Sequence, residues 1–476
     1  MNEQAYIPIK EMEAIRQVYF IGIGGIGMSA VARFFQAKGV QVSGYDKTPT
    51  PLTREMEAAG IAVHYEEDTD RIPLEADLVV YTPAVPAAHR ELVYYRENGY
   101  AVVKRSDVLQ LVTRRSFNIC VAGTHGKTTT STMIAHLLRD SGAGGTAFLG
   151  GIAANYQTNF WSVAGNDANA PQNISVVEAD EYDRSFLKLS PDIAVITSMD
   201  PDHLDIYGTA EAMEQAFIDF SSRIKQGGLL VSKQGLKRSA DLQASRRLTY
   251  SLHDEKADAY AANIRVVNGS YLFDVVLKDN ILKEVQLNMG GMHNIENAIA
   301  AITVASSLGI SDDSIRKAVH SFRGVKRRFE YILPPAGGKG IVFIDDYAHH
   351  PEELRALIGG AKALFPDQPC TVVFQPHLYS RTRDLADGFA EVLDMADEAI
   401  LLPIYPAREL PVEGVTSAMI AEKKRNPTQL MEKEELVNWI KNEFSKKSDT
   451  GQVLITAGAG DIDTLVETIK QYLETV

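Results

Sequence analysis

The segment Ala122-Gly-Thr-His-Gly-Lys-Thr-Thr-Thr130 limits what this chain can fold into more than any other stretch. An apolar, strand-like run, Phe117–Ala122, precedes it, and a helical stretch from Lys127 to Arg139 follows. A strand feeding a glycine loop that opens a helix lets backbone N–H groups and the helix dipole cradle phosphate. In that setting Lys127 reaches the β- and γ-phosphates of a nucleotide, and the Thr128 hydroxyl meets a magnesium ion. Position 121 is Val, where the strict phosphate-loop pattern has Gly. The residues expected to hold nucleotide phosphates are Gly123, Thr124, His125, Gly126, Lys127, Thr128 and Thr129.

The rest of the chain supplies several cores around this loop. At 476 residues it has room for two to four domains. Its net charge of −14 argues against a nucleic-acid or anionic-membrane partner, so any bound phosphate must be held by local donors, basic groups or metal ions. Cys120 and Cys370 both sit in apolar, strand-like settings, read as small buried hydrophobes in a reducing compartment. The start of the chain lacks a signal-like apolar core. The longest mostly apolar stretch, Ala298–Ile310, is too short to span a bilayer. A soluble cytoplasmic protein, monomeric or homodimeric, is expected.

Strands alternate with helices throughout. Val18–Gly22, Val40–Asp46 and Asp77–Pro83 read as strands in a first segment, residues 1–112, with a helix over Met28–Lys38. A second segment, 113–325, has strands at Phe117–Ala122, Ile174–Glu178 and Asp192–Ser198. A β-rich stretch follows over Tyr260–Met289, with Asn268-Gly269 as a hairpin turn, and then a helix from His293 to Leu308. A third, 326–476, has strands at Ile341–Asp345, Thr371–Gln375, Ala399–Pro403 and Val453–Thr456. This rhythm implies α/β domains with parallel, doubly wound sheets.

A second glycine loop, Gly22-Ile-Gly24-Gly25-Ile-Gly27, follows the first strand, and Asp46 ends the next one. Taken alone, this pattern equally suits a dinucleotide site. Two phosphate-type loops in separate domains suggest two phosphorylated ligands, one hydrolysed and one held. An NAD(P)-linked oxidoreductase would leave Gly123–Thr130 unexplained, and a nucleotide-switched binding protein is the other alternative.

Glu178, Asp180 and Glu181 end one buried strand, and Asp200, His203 and Asp205 follow another. Strand ends are where ligands bind in open α/β sheets, and these carboxylates can complete a magnesium shell begun by Thr128. Asn294 and Asn297 share one helix face. Arg327-Arg328 and Asp345-Asp346-Tyr347-Ala-His349-His350 flank the entry to the third segment. His377, Arg381 and Arg383 follow a strand there, a grouping suited to an anionic substrate group.

In this order Gly-Thr-His-Gly-Lys-Thr-Thr-Thr, Glu-Ala-Asp-Glu, Asp-Pro-Asp-His, His-Asn-x-x-Asn, Arg-Arg-Phe and Asp-Asp-Tyr-x-His-His-Pro resemble the motifs of the Mur ligases, from about Val18 to Gly460. The resemblance implies three domains: a Rossmann-like UDP-sugar domain, a central P-loop-type ATPase with a β-rich insertion, and a Rossmann-like C-terminal domain that admits an amino acid. It implies ATP and two Mg²⁺ ions as cofactors. Lys127 would hold ATP phosphates, Thr128 and Glu178 one Mg²⁺, and His203 the second. Asn294, Asn297, Arg328 and Asp346 would contact the nucleotide, and Gly22, Gly24, Gly25 and Gly27 the UDP diphosphate. Asp46, Tyr347, His377 and Arg381 complete the expected substrate contacts, with His349 as a base.

Ile-Gly-Ile-Gly-Gly-Ile-Gly-Met-Ser-Ala and Phe-Gln-Pro-His-x-Tyr-x-Arg-Thr-Arg are similar to the family's alanine-adding members. They imply L-alanine and UDP-N-acetylmuramate as substrates. Two positions depart from that pattern. Tyr182, where those members often carry Ser, is similar to the recycling ligase that attaches a ready-made tripeptide to the same sugar. Leu378 stands where Arg is common, which shifts carboxylate recognition toward Arg381.

Overall fold

The computed structural model describes residues 11–165, 173–201, 204–335, 340–407, 409–426, 428–446 and 451–475. The chain divides into two compact units, Met1–Tyr260 with Asn297–Ala318, and Ala261–Glu296 with Val319–Val476.

In the first unit, β-branched and aromatic runs form the parallel sheet expected of the N-terminal segment. Its strand order is Ala62–His64, Gln41–Tyr45, Gln17–Ile21, Leu78–Tyr81, Val102–Lys104. Gln17–Ile21 lies centrally, with Val18 paired to Val42 on one side and to Leu78 on the other. It is bounded on both faces, and Val18, Tyr19, Phe20 and Ile21 are fully buried. Strand order reverses beside this strand, so the glycine loop leaving it sits at the topological switch point, where open α/β sheets bind ligands.

The same unit holds the core of the central sheet. Its order is Arg246–Ser251, Leu229–Lys233, Ile193–Ile196, Phe117–Ala122, Ile174–Glu178, Gly145–Ala153, Thr158–Val163. Phe117–Ala122 and its neighbour Ile193–Ile196 are almost wholly buried, as their continuous apolar runs require. The last two strands form an antiparallel hairpin, pairing Phe148 with Phe160. That hairpin receives the helix Ile26–Ala37 of the N-terminal sheet. Phe34 packs on Phe148 at 5.3 Å between ring centroids, and Asn159 donates to Ile26 O and Ser29 Oγ. The helix that follows the Gly22–Gly27 loop is thereby fixed against the sheet that carries the Gly123–Thr130 loop.

The second unit contains the hairpin Ser270–Leu277/Asn280–Leu287 and a sheet ordered Glu330–Leu333, Ile341–Asp346, Gln452–Ala457, Cys370–Phe374, Glu398–Leu401, Thr428–Leu430. All neighbours in this sheet are parallel except the first pair. Asn268 and Gly269 both take positive φ, 50° and 74°, the geometry of a type I′ turn. Helix Met292–Ser307 begins one residue before the expected helix and ends one earlier.

The hairpin Gly145–Ala153/Thr158–Val163 and the strands Leu229–Lys233 and Arg246–Ser251 were not among the expected elements. The first carries three glycines that mask its alternation, and Arg246-Arg247 gives the last a polar start. Among the described residues, no helix is long and apolar enough to cross a membrane.

Candidate active site

The Gly123–Thr130 loop leaves Ala122, the last residue of its strand, and runs into helix Lys127–Asp140. Gly126 caps that helix in the left-handed region, φ 81°, which favours a residue without Cβ. A Cβ there would also press on Asn297 Oδ1 at 2.7 Å. Asn297 in turn accepts from Thr130 Oγ1 at 3.2 Å, so this buried amide packs directly behind the loop. Ser198 braces the front: its hydroxyl accepts the His125 N–H at 2.7 Å and bonds Thr124 Oγ1 at 2.8 Å. The neighbouring Thr197 donates to His125 O.

Lys127 Nζ donates to Gly123 O and to Glu181 Oε1, both at 2.7 Å. Glu181 is 1% exposed, and its second carboxylate oxygen is buried without a hydrogen-bond partner. Burial pushes the Glu181 carboxyl above the usual range, and Lys127 pulls it back. The ammonium thus rests on a counter-charge from Glu181, on the loop that follows strand Ile174–Glu178.

Thr128 Oγ1 donates to Glu178 Oε1 at 3.0 Å, and Glu178 Oε2 accepts the Gly150 N–H at 3.0 Å. A hydroxyl and a carboxylate side by side at the mouth of a phosphate loop are hard oxygen donors suited to Mg²⁺. Among the described residues no cluster of three His, Cys, Asp or Glu could hold a metal alone. His203 lies outside the described residues.

In the Gly22–Gly27 loop, Gly22 N and Ile23 N donate to Tyr45 O at 2.8 and 3.0 Å, and Gly25 N to Gly22 O at 3.4 Å. Asp46 Oδ2 takes the Gly24 N–H at 2.7 Å. Asp46 therefore shapes the loop in addition to whatever it offers a ligand.

The second unit gathers the remaining candidates into one cluster and one frame. Tyr347, nearly half exposed, lies edge-on to His349 at 5.3 Å; His349 lies edge-on to His377 at 6.0 Å; His377 stacks on Tyr405 at 5.8 Å. His349 Nδ1 lies 2.9 Å from Tyr347 O, a contact that requires the N–H on Nδ1 and leaves Nε2 as the basic nitrogen. Arg381 sits on the short helix after His377, and its buried Nη1 has no hydrogen-bond partner among the described residues. Glu409 fixes the start of that helix by accepting from Ser380 N at 2.9 Å and from its hydroxyl. Tyr405 and Glu409 had no motif to mark them.

Of the adjacent arginines, Arg327 is structural. It bonds Asp345 at 3.2 Å and Asp463 at 3.3 Å, and lies over the Tyr347 ring. Arg328 is exposed. Asp346 accepts the N–H groups of Phe329 at 2.6 Å and Ala348 at 2.7 Å, and burial pushes its carboxyl up to about 6 against their pull. Asn294 is buried and donates to Gly290 O at 2.7 Å.

Comparison with known proteins is consistent across the whole chain. Residues 17–117 match the Mur ligase family catalytic domain, 121–305 the Mur ligase middle domain, and 327–460 the Mur ligase glutamate ligase domain. UDP-N-acetylmuramate–L-alanine ligase of Porphyromonas gingivalis is 47% identical, over 97% of this chain and 100% of its own length. The enzyme of that name from Flavobacterium johnsoniae is 45% identical, over 97% and 99%. Among solved structures, the UDP-N-acetylmuramate-alanine ligase of Thermotoga maritima superposes with a TM-score of 0.78 at 28% identity, covering 96% of this chain and 99% of that one. A murein peptide ligase from Psychrobacter arcticus shares the fold, with a TM-score of 0.62 at 22% identity.

Proposed function

Because the chain belongs to the Mur ligase family, we propose that it joins L-alanine to the lactyl carboxylate of UDP-N-acetylmuramate at the expense of ATP, a step in building peptidoglycan precursors. The observation that carries this reading is identity of 45–47% over nearly the full chain to ligases bearing that name. The domains proposed are residues 1–112 for the sugar nucleotide, 113–325 for ATP and 326–476 for the amino acid. The cytoplasm is the proposed location.

A carboxylate is a poor electrophile, so it is activated first. A carboxylate oxygen attacks the γ-phosphorus of ATP, ADP leaves, and an acyl phosphate forms. The free α-amine of alanine then attacks the carbonyl carbon, and the tetrahedral intermediate collapses to the amide with loss of inorganic phosphate. The ammonium lying between Gly123 O and Glu181 is placed to follow charge onto the transferring phosphoryl group. Thr128 and Glu178 would hold a Mg²⁺ ion, which supplies charge neutralisation at the phosphates. His203 is proposed for a second ion, and Asn294, Asn297, Arg328 and Asp346 as further nucleotide contacts, on the family likeness. His349 Nε2 is available to take the proton released by the attacking amine.

Arg381 is the proposed partner of the alanine carboxylate, because its buried Nη1 lacks an acceptor. Arg381→Ala is expected to raise KM for alanine about 10–100-fold, the scale of one charge-assisted hydrogen bond, with a smaller change in kcat. Steady-state kinetics with varied alanine checks this, and an unchanged KM would reassign the residue.

The acceptor itself is tested by supplying UDP-N-acetylmuramate, ATP and Mg²⁺ with either L-alanine or L-Ala-γ-D-Glu-meso-diaminopimelate. Alanine should be preferred by about a hundredfold or more in kcat/KM. Tyr182, the residue similar to the recycling ligase, is 47% exposed. Faster ligation of the tripeptide would move the chain to the recycling reaction.

A further inference from the structure

The sugar-nucleotide loop presents a chemical problem. A diphosphate brings negative charge, yet the N–H groups of Gly22, Ile23, Gly24 and Gly25 are already engaged by Tyr45 O, Asp46 Oδ2 and Gly22 O. The next two, Ile26 and Gly27, open helix Ile26–Ala37, and first-turn N–H groups have no intrahelical acceptor. Two backbone donors and a helix dipole are a weak cradle for a diphosphate.

A cation stands at this spot, from a distant part of the chain. Arg105, the first residue of helix Arg105–Arg115, lays its guanidinium directly on Gly27, so that a Cβ at Gly27 would overlap Nη1 and come within 2.8 Å of Cζ. The third glycine of such a loop ordinarily permits close helix–strand packing. Here its missing side chain makes room for an arginine. The other terminal nitrogen, Nη2, reaches Asp180 Oδ2 at 3.3 Å. That ion pair is partly open to solvent, with side-chain exposures of 27% for Arg105 and 42% for Asp180. Pairs of this kind are weak and exchangeable.

We propose that Arg105 is a binding residue for the diphosphate of the sugar nucleotide, trading Asp180 for phosphate oxygens when the ligand arrives. The inference rests on the assignment of the UDP-sugar to the Gly22–Gly27 loop. The planar guanidinium lies against Gly27 in the first turn of that helix and adds a forked donor of the kind that holds phosphate. Asp180 then acts as a competitor that occupies the fork while the loop is empty.

The two partners of this pair therefore have opposite expected effects. Titration calorimetry of the full chain with UDP-N-acetylmuramate, without ATP, should show Arg105→Ala weakening binding about thirtyfold, the scale of lost charge-assisted hydrogen bonds. Arg105→Lys should recover part of the loss. Asp180→Asn should tighten binding about two- to fivefold, because the competing surface ion pair is gone. The preference of the wild type for UDP over UMP should shrink in Arg105→Ala, since the missing contact is to the diphosphate. If both Arg105→Ala and Asp180→Asn weaken binding alike, or the preference for UDP is unchanged, the pair is only structural and the inference falls. Hydrogen exchange separates this from failure of the underlying assignment. Ligand-induced protection of residues 22–27 with undiminished affinity in Arg105→Ala and Arg105→Lys overturns the role of Arg105 alone, whereas absence of protection in the wild type overturns the loop assignment itself.

Discussion

Replacing Lys127 by Ala is expected to lower turnover about a thousandfold or more while leaving affinity for UDP-N-acetylmuramate within about twofold. The lysine belongs to the Gly123–Thr130 loop, proposed for ATP, and the sugar nucleotide is proposed for a different sheet. Calorimetry and steady-state kinetics on the same variant decide the matter, and a large loss of sugar-nucleotide affinity would mean the two loops are assigned the wrong way round. The substitution also has a structural consequence. It strands Glu181, 1% exposed, without the ammonium 2.7 Å away, and stranding a buried charge costs about 3 kcal/mol. Burial already holds this carboxyl above its usual range, and loss of Lys127 raises it further. A carboxyl raised in the folded state is tolerated while protonated, below its unfolded value, and opposes folding increasingly as pH rises through its folded value. The melting-temperature deficit of Lys127→Ala should therefore shrink on acidification and grow toward neutral pH. Adding Glu181→Gln should restore most of the stability and none of the turnover. Recovery of activity in the double variant would show that the lysine acts only through the fold.

Glu178→Gln should cost about a hundredfold or more in turnover with little change in thermal stability. The amide keeps the shape of the carboxylate. Its oxygen can still accept from Thr128 Oγ1 or from Gly150 N, bonds that are both 3.0 Å in the wild type. What it loses is the negative charge that would face a divalent ion. The Mg²⁺ concentration needed for half-maximal activity should rise in the variant, and excess Mg²⁺ should rescue part of the rate. A variant as active as wild type at low Mg²⁺ would remove Glu178 from the metal site.

How much of this site is legible without coordinates depends on the distance over which each signal acts. Strand Phe117–Ala122, the turn at Gly126 and the helix from Lys127 follow from apolar runs, a glycine and a helix start within a dozen residues. The roles of Thr128 and Glu178 are also readable, because Thr128 opens the helix after the loop and Glu178 ends a neighbouring strand, the positions where ligands bind. The hairpin over Gly145–Val163 was not legible, since its glycines blur the alternation that marks a strand. Yet it seats Phe34 and so orients the helix that follows the Gly22–Gly27 loop.

By itself the sequence determined the alternating α/β order, the two glycine loops and the carboxylates that end the strands behind them. Those features obey steric and periodic rules that act between near neighbours in the chain. Only the tertiary structure decided which charges meet. It set Glu181 under Lys127 across 54 residues and Arg105 on Gly27 across a larger gap, and it turned Arg327 onto Asp345 while leaving Arg328 exposed. Such pairings turn on ångström-scale placement of side chains from separate elements, and neither a motif nor a hydrophobic period carries that information.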